Sequence, residues 1–284
     1  MTPEEARPDP GFPSLGLAEA ARRVGLHYMT LYRHVRTGRL PAVQRAGRWW
    51  VAPSDLERLV RAPRPARTGP TRWEPARRRL LERMSAGDQG GAAQVVEESL
   101  AGGASAADIH LRLLGPVLEE VGRQWAAGAM TVQAEHRVTA VALRLAGRLS
   151  PHFSGRGTPT AGTVVLGGAP GDHHLLPVWM AADLMRSRRV RIVDLGADVP
   201  VASFLEAAET AEDLRAVGVS LSDRGRWGAA AQVLREVRGA FPGVLLLGGG
   251  PAVGNRAAAL ELGADDWAPN GLAAAELVAR WARR

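Results

Sequence analysis

Two short constellations in this chain bring together residues that could do chemistry. In the run Gly167–Pro177 (GGAPGDHHLLP), Asp172 and His174 stand two apart. That spacing lets a carboxylate accept the Nδ1 proton of the imidazole while Nε2 points at a metal, which fixes the tautomer and raises the basicity of the ring. His173 lies beside them, so two imidazoles compete for the role, and the Asp-x-His spacing favours His174. The second constellation is Trp125 with the adjacent pair Glu135 and His136: a flat indole, a carboxylate that can accept from hydroxyls, and another imidazole. No further catalytic set stands out. There is no P-loop, the run Gly248, Gly249, Gly250 lacks the spacing of a dinucleotide fingerprint, and Ser220 has no His and Asp set beside it. The chain has no cysteine, which excludes disulfides, thiolate metal sites and thiol nucleophiles. It is expected not to be an enzyme.

The elements that must position these groups are legible as alternating patterns. From Ala161 onward, short apolar runs at 163–167, 190–196, 216–222, 244–249 and, more weakly, 265–269 alternate with helical stretches. Alternation of this kind predicts a flavodoxin-like, doubly wound parallel sheet of five strands over 161–284. The loop carrying Asp172 and His174 follows its first strand, at the carboxyl ends where such sheets bind ligands. Residues 73–149 read as amphipathic helices broken near Ala86–Gly91 and Gly102–Ser105. Leu114, Val117, Leu118 and Val121 recur at helical spacing, as do Val138, Val141 and Leu145, which predicts a four-helix bundle with those side chains in its core. Linkers are expected at Ala62–Pro70 and Ser150–Thr160, both rich in Pro, Gly and Arg or Ser.

Residues 13–62 form a third block with a different charge. The net charge of +7 is concentrated in residues 1–84, which hold 17 Arg against 8 Asp and Glu, while the remainder is slightly acidic. Such a basic head is the electrostatic footprint of a nucleic-acid binder. Its first helix opens near Ser14 or Gly16, and a second runs from His27 to Gly38 with Met29, Leu31 and Val35 expected inward. Tyr28, Thr30, Tyr32, Arg33 and Arg36 are left outside, residue types that reach phosphates and base edges. Two strands then bracket a turn, giving a wing tipped by Arg45 and Arg48. Double-stranded DNA is the expected partner, together with self-association as a dimer or tetramer, since one such head presents a small surface. At 284 residues and 46% hydrophobic, the chain is globular, and no apolar run is long enough for a membrane helix. The acidic start Met1 to Asp9 is followed by no apolar segment, which argues against a secretory signal. A cytoplasmic location is expected.

These motifs carry a resemblance. The stretch LAEAARRVGLHYMTLYRHVRTGRLPAVQRAGRWWVAPSDLERL resembles the excisionase-like, short winged-helix branch of the MerR superfamily. The α/β block resembles the cobalamin-binding domains, whose signature is D/E-x-H-x-x-G, then S-x-L, then G-G. Here the series reads Asp172-His173-His174-Leu175-Leu176-Pro177, Ser220-Leu221-Ser222 and Gly248-Gly249-Gly250, with Pro177 replacing a Gly and Ser222 a Leu. The resemblance implies that His174 is the lower axial cobalt ligand. It also implies that Ser220 and Ser222 hydrogen-bond the nucleotide tail, and that the three glycines leave room for it. W-x9-E-H on a helical bundle before such a domain is similar to the CarH/LitR regulators, light-sensing repressors that use adenosylcobalamin. By that likeness Trp125 lies over the upper face of the cofactor, with Glu135 and His136 around the adenosyl group. In that family a His follows the Trp and takes cobalt after photolysis, whereas here Ala126 stands in its place. The implied function is a cobalamin-dependent transcriptional regulator, with adenosylcobalamin or methylcobalamin as cofactor and light as the expected signal. The alternatives are a cobalamin sensor that does not use light and a corrinoid methyl carrier.

Overall fold

The computed structural model describes residues 15–24, 28–36, 40–45, 47–61, 71–153 and 159–282. The expected features at Ser14, at 25–27, at 37–39, in the linker 62–70 and at 154–158 lie outside the described residues. Two compact units result, Met1–Arg67 and Thr68–Arg284.

The first unit packs α1 (Leu17–Arg23), α2 (Tyr28–Arg36) and α3 (Pro53–Arg61) with a small antiparallel sheet. Strands β2 (Val43–Arg45) and β3 (Arg48–Val51) form the expected wing, with Arg45 opposite Arg48. A two-residue strand, β1 (Leu15–Gly16), adds to β3 where the sequence pattern shows only the start of a helix. Leu17, Ala20, Ala21, Leu31, Leu40, Val51 and Leu56 make the core. Met29, expected inward, is 57% exposed. Leu31 and Val35, four apart, set the buried face of α2, and two residues along a helix is more than half a turn. Met29 is therefore carried to the other side.

The second unit begins with the bundle: α4 (Trp73–Ser85), α5 (Gln89–Ala101), α6 (Ala106–Asp108) continuing through a π-helical stretch (Ile109–Leu114) into α7 (Gly115–Ala126), and α8 (Val132–Leu149). Polar residues at the breaks start these helices. Asp88 caps α5 through Gly91 N (2.8 Å), Ser105 and Asp108 form a capping box on α6, and Thr131 caps α8 through Ala134 N (3.2 Å). The predicted stripe is in the core: Leu114, Val117, Val121, Val138, Val141 and Leu145 are buried, and Leu118 packs against them. Ser150–His152 form one 3-10 turn after α8, and Phe153 is 2% exposed, so the segment expected to open a linker is packed structure at its start.

The α/β part has β4 (Thr163–Gly168), α9 (Leu175–Arg186), β5 (Arg191–Asp194), α10 (Val201–Thr210), β6 (Leu214–Ser220), α11 (Trp227–Ala240), β7 (Leu245–Gly249), α12 (Arg256–Leu262), β8 (Asp266–Ala268) and α13 (Gly271–Trp281). Its five strands are parallel in the order β5-β4-β6-β7-β8. Alternate residues of the strands face opposite layers. Val165, Val217, Val219 and Leu246 pack with Phe204, Val233 and Ala259 of α10, α11 and α12, while Val164, Ala216, Leu245 and Leu247 pack with Met185 of α9 and Val278 of α13. The doubly wound sheet expected from the alternation is therefore present. The chain leaves β4 for β5 on one side and returns past it to β6, so the topological switch point lies at the carboxyl ends of β4 and β6. The bundle core runs on without a break into α9 and α13, taking in Leu176, Leu184, Met180 and Leu272.

Candidate functional site

The loops after β4 and β6 meet at that switch point, and one carboxylate ties them. Asp172 is 2% exposed. Its Oδ1 accepts from His174 Nδ1 (2.6 Å) and His174 N (3.1 Å). Its Oδ2 accepts from Ser222 N (2.5 Å) and Asp223 N (3.2 Å) of the β6 loop. Burial opposes the charge, but these bonds from His174, Ser222 and Asp223 outweigh it and hold the carboxyl down at about 2. His174 responds in the opposite sense. Its bond to Asp172 raises its pKa above the usual 6.5, burial works against that, and the charges of Asp172, Asp223 and Glu135 add to the rise. With Nδ1 held, Nε2 is the free corner of a ring whose side chain is 61% exposed. His174 also occupies the position just before α9 starts, which places Pro177 in the first turn of that helix, where a missing N–H costs nothing.

His173 turns elsewhere: its side chain is 78% exposed and its Nδ1 lies 3.5 Å from Asp198 Oδ2. Ser220 ends β6, and its carbonyl accepts from Ala169 N (3.0 Å). Ser222 Oγ is buried and has no hydrogen-bond partner among the described residues. The glycine run is packed tightly by the protein itself. A Cβ on Gly248 would meet Ala259 at 3.3 Å, one on Gly249 the Ala268 carbonyl at 3.0 Å, and Gly250, at φ +92°, would place one 2.5 Å from Leu221 O. What these glycines visibly admit is the close approach of α12, β8 and the Ser220–Ser222 loop.

From the bundle, Glu135 lies close enough for its charge to bear on His174. It accepts from Thr139 Oγ1 (2.6 Å) and sits 3.6 Å from His136 Nε2, whose side chain is 75% exposed. Trp125, in the last turn of α7, is 47% exposed, an unusual amount of bare indole. Ala126 follows it and ends the helix. No group of three or more His, Asp or Glu that could hold a free metal ion occurs among the described residues. An oriented imidazole, an orphaned buried hydroxyl one loop away and the nearby charge of Glu135 would suit a metal held in a macrocycle, which needs a single protein nitrogen.

In the head, Arg36, Arg45 and Arg48 are exposed and Tyr28 is 43% exposed. Tyr32 is only partly outside, since it packs against the head core and stacks on Tyr28 with ring centroids 6.2 Å apart. The side chains of Thr30 and Arg33 lie outside the described residues.

Family comparison agrees with this geometry block by block. Residues 162–276 match a B12 binding domain, residues 76–149 a second B12 binding domain model, and residues 14–64 a helix-turn-helix domain. Together these three matches fit a CarH-like architecture. Trimethylamine corrinoid protein 1 of Methanosarcina acetivorans is 31% identical over 122 residues, 42% of this chain and 56% of that protein. Trimethylamine corrinoid protein 2 of Methanosarcina mazei is 32% identical over 119 residues, 40% and 54% of the two chains. This chain thus spans little more than half the length of these curated relatives. The structure of the monomethylamine corrinoid protein of Methanosarcina barkeri superposes with a TM-score of 0.62 at 21% identity, covering 73% of this chain and 98% of that one, a likeness of fold. The chain therefore carries cobalamin-binding domains together with a helix-turn-helix head. No helix among the described residues is long and apolar enough to cross a membrane.

Proposed function

We propose that this chain is a cobalamin-dependent transcriptional regulator in which the state of the cofactor controls self-association, and self-association controls affinity for double-stranded DNA. The observation that carries the reading is the Asp172–His174 pair: a carboxylate fixed by donors from two loops orients one imidazole at the switch point, in a chain that also bears a basic winged head. When bound, a corrinoid supplies a cobalt whose upper bond changes with ligand and, for the adenosyl form, with light. The protein's own part is to hold and tune. Asp172 keeps Nδ1 of His174 protonated and aims Nε2 at the metal. Ser222 Oγ, buried and unpartnered, has a hydrogen bond to give to the nucleotide tail, with Ser220 beside it, and Gly248, Gly249 and Gly250 would flank that tail. Trp125 would lie over the bound corrinoid, and Glu135 and His136 would line the space for an adenosyl group.

Coupling to DNA is a linkage effect: a ligand stabilises whichever assembly it binds better. Tyr28, Thr30, Tyr32, Arg33 and Arg36 form the reading face and Arg45 and Arg48 grip the backbone. Ala126 has no side-chain donor atom and would offer the cofactor's metal no ligand, whereas His136 is the member of the Trp125, Glu135 and His136 set whose nitrogen could. We read the regulator as a repressor in the cytoplasm. The deciding experiment is an absorbance spectrum of the protein mixed with adenosylcobalamin and desalted, dark and then lit, paired with gel filtration. Retained colour with a size change on illumination supports a photoreceptor. Retained colour with unchanged size leaves a cobalamin sensor that does not use light, and loss of colour removes the cofactor reading altogether. The likeness to corrinoid proteins favours one second reading, a methyl carrier. A basic winged head serves no purpose in such a carrier, and transfer of a methyl group from bound methylcobalamin to an acceptor would be needed to establish it.

A further inference from the structure

His110 is completely buried and belongs to no part of the site described above. It lies in the π-helical stretch between α6 and α7, a local widening that is uncommon and tends to mark functional positions. The residue that follows the stretch is a glycine in close quarters. A Cβ at Gly115 would stand 2.9 Å from His110 O, so a side chain there would push the turn apart. From this stretch the imidazole reaches α9, where Nε2 meets Asp183 Oδ2 at 3.3 Å. Asp183 is 3% exposed, and its other oxygen accepts from Ser150 Oγ (2.9 Å), just past the end of α8, and from Arg186 (3.2 Å). Phe153 stacks on the ring at 4.7 Å, and His110 Nδ1 has no partner among the described residues. Around this knot the seam between bundle and α9 is otherwise apolar: Leu113, Leu114, Leu149, Leu176 and Leu184 belong to one core.

A buried ionisable pair is a poor way to gain stability, because well-packed apolar residues would serve as well or better. What it adds is register. A sliding apolar seam loses little, whereas a shift of this one leaves the His110 imidazole without its acceptor and the Asp183 carboxylate with only Arg186 of its own helix. Three elements converge here: the helix leading to Trp125, the end of the helix that begins beside Glu135, and the helix that starts at His174. We propose that His110, Asp183 and Ser150 form a register lock that sets the helical module against the His174 helix, positioning the upper-face residues without touching the cofactor. This rests on the cofactor reading above only for its purpose; the lock itself exists in the cofactor-free chain.

The test uses the full chain with two variants. His110→Phe with Asp183→Leu makes the seam wholly apolar, and Asp183→Asn removes the charge but keeps shape and hydrogen bonds. In the cofactor-free protein the double variant should unfold at no lower temperature than the parent. Its amides around Trp125 and Glu135 should nonetheless exchange about tenfold faster while those of the sheet do not, a coupling of ordinary size. Adenosylcobalamin release should quicken by a similar factor, and Asp183→Asn should restore most of both. A double variant that does not fold, exchange that rises uniformly over the chain, or exchange that is unchanged would each overturn the lock. If the parent retains no adenosylcobalamin while local exchange still rises, the cofactor reading fails and the lock stands.

Discussion

Asp172 concentrates the logic of the site in one carboxylate. Removing the imidazole (His174→Ala) is expected to abolish retention of cobalamin after desalting, and a variant that stays red would refute His174 as the ligand. Asp172→Asn leaves the fold but loses the charge that orients His174. The depressed carboxyl corresponds to about 2 kcal/mol of native-state stabilisation, which urea unfolding of the cofactor-free variant should show as a loss of that order. The pH dependence has two sides. Stabilisation from Asp172 is complete above its unfolded value of 3.8 and fades as pH falls toward about 2. That from His174 is complete below 6.5 and fades as pH climbs through its raised folded value. Unfolding midpoints of parent and His174→Ala should therefore differ most between these limits. The Asp-x-His spacing makes this pair legible from the chain alone, because its partners are neighbours in sequence. His110 and Asp183 are not legible in that way: they are 73 residues apart, and nothing local to either announces the other.

At the level of elements, the alternation of apolar runs predicts each of the five strands, because a parallel strand buried on both faces must be apolar almost throughout. Two-residue β1 leaves no such trace, and Met29 shows that an apolar type is not by itself an inward one, since helical phase decides. The turn after β7 is expected to be intolerant. Gly250→Ala must adopt a left-handed φ and meet Leu221 O, and should cost about 2 kcal/mol or more while also displacing the Ser222 N–H from Asp172, so thermal stability and cofactor retention should fall together. The end of α7 offers a gain instead of a loss. Ala126→His would put an imidazole directly after Trp125, and illumination of that variant loaded with adenosylcobalamin should give a bis-imidazole cobalt spectrum, also when it is combined with His136→Ala.

For the molecule as a whole, the basic head and its helix-turn-helix match make it the place to test for DNA contact. Replacing Arg45 or Arg48 by Ala should weaken binding to all sequences alike and lower the salt dependence by about one counterion each. An unchanged slope would remove the wing from the interface. Composition, charge and domain order are readable from the chain, since each is a sum over many residues, whereas the seam between bundle and sheet is not, since it depends on how finished surfaces meet. A last consequence follows from the way Asp172 stitches two loops together without help from any ligand. Their ordering entropy is spent when the polypeptide folds, not when the vitamin arrives. Calorimetry should accordingly find an uptake heat-capacity change explained by greasy surface removed from solvent, with no surplus from loop freezing.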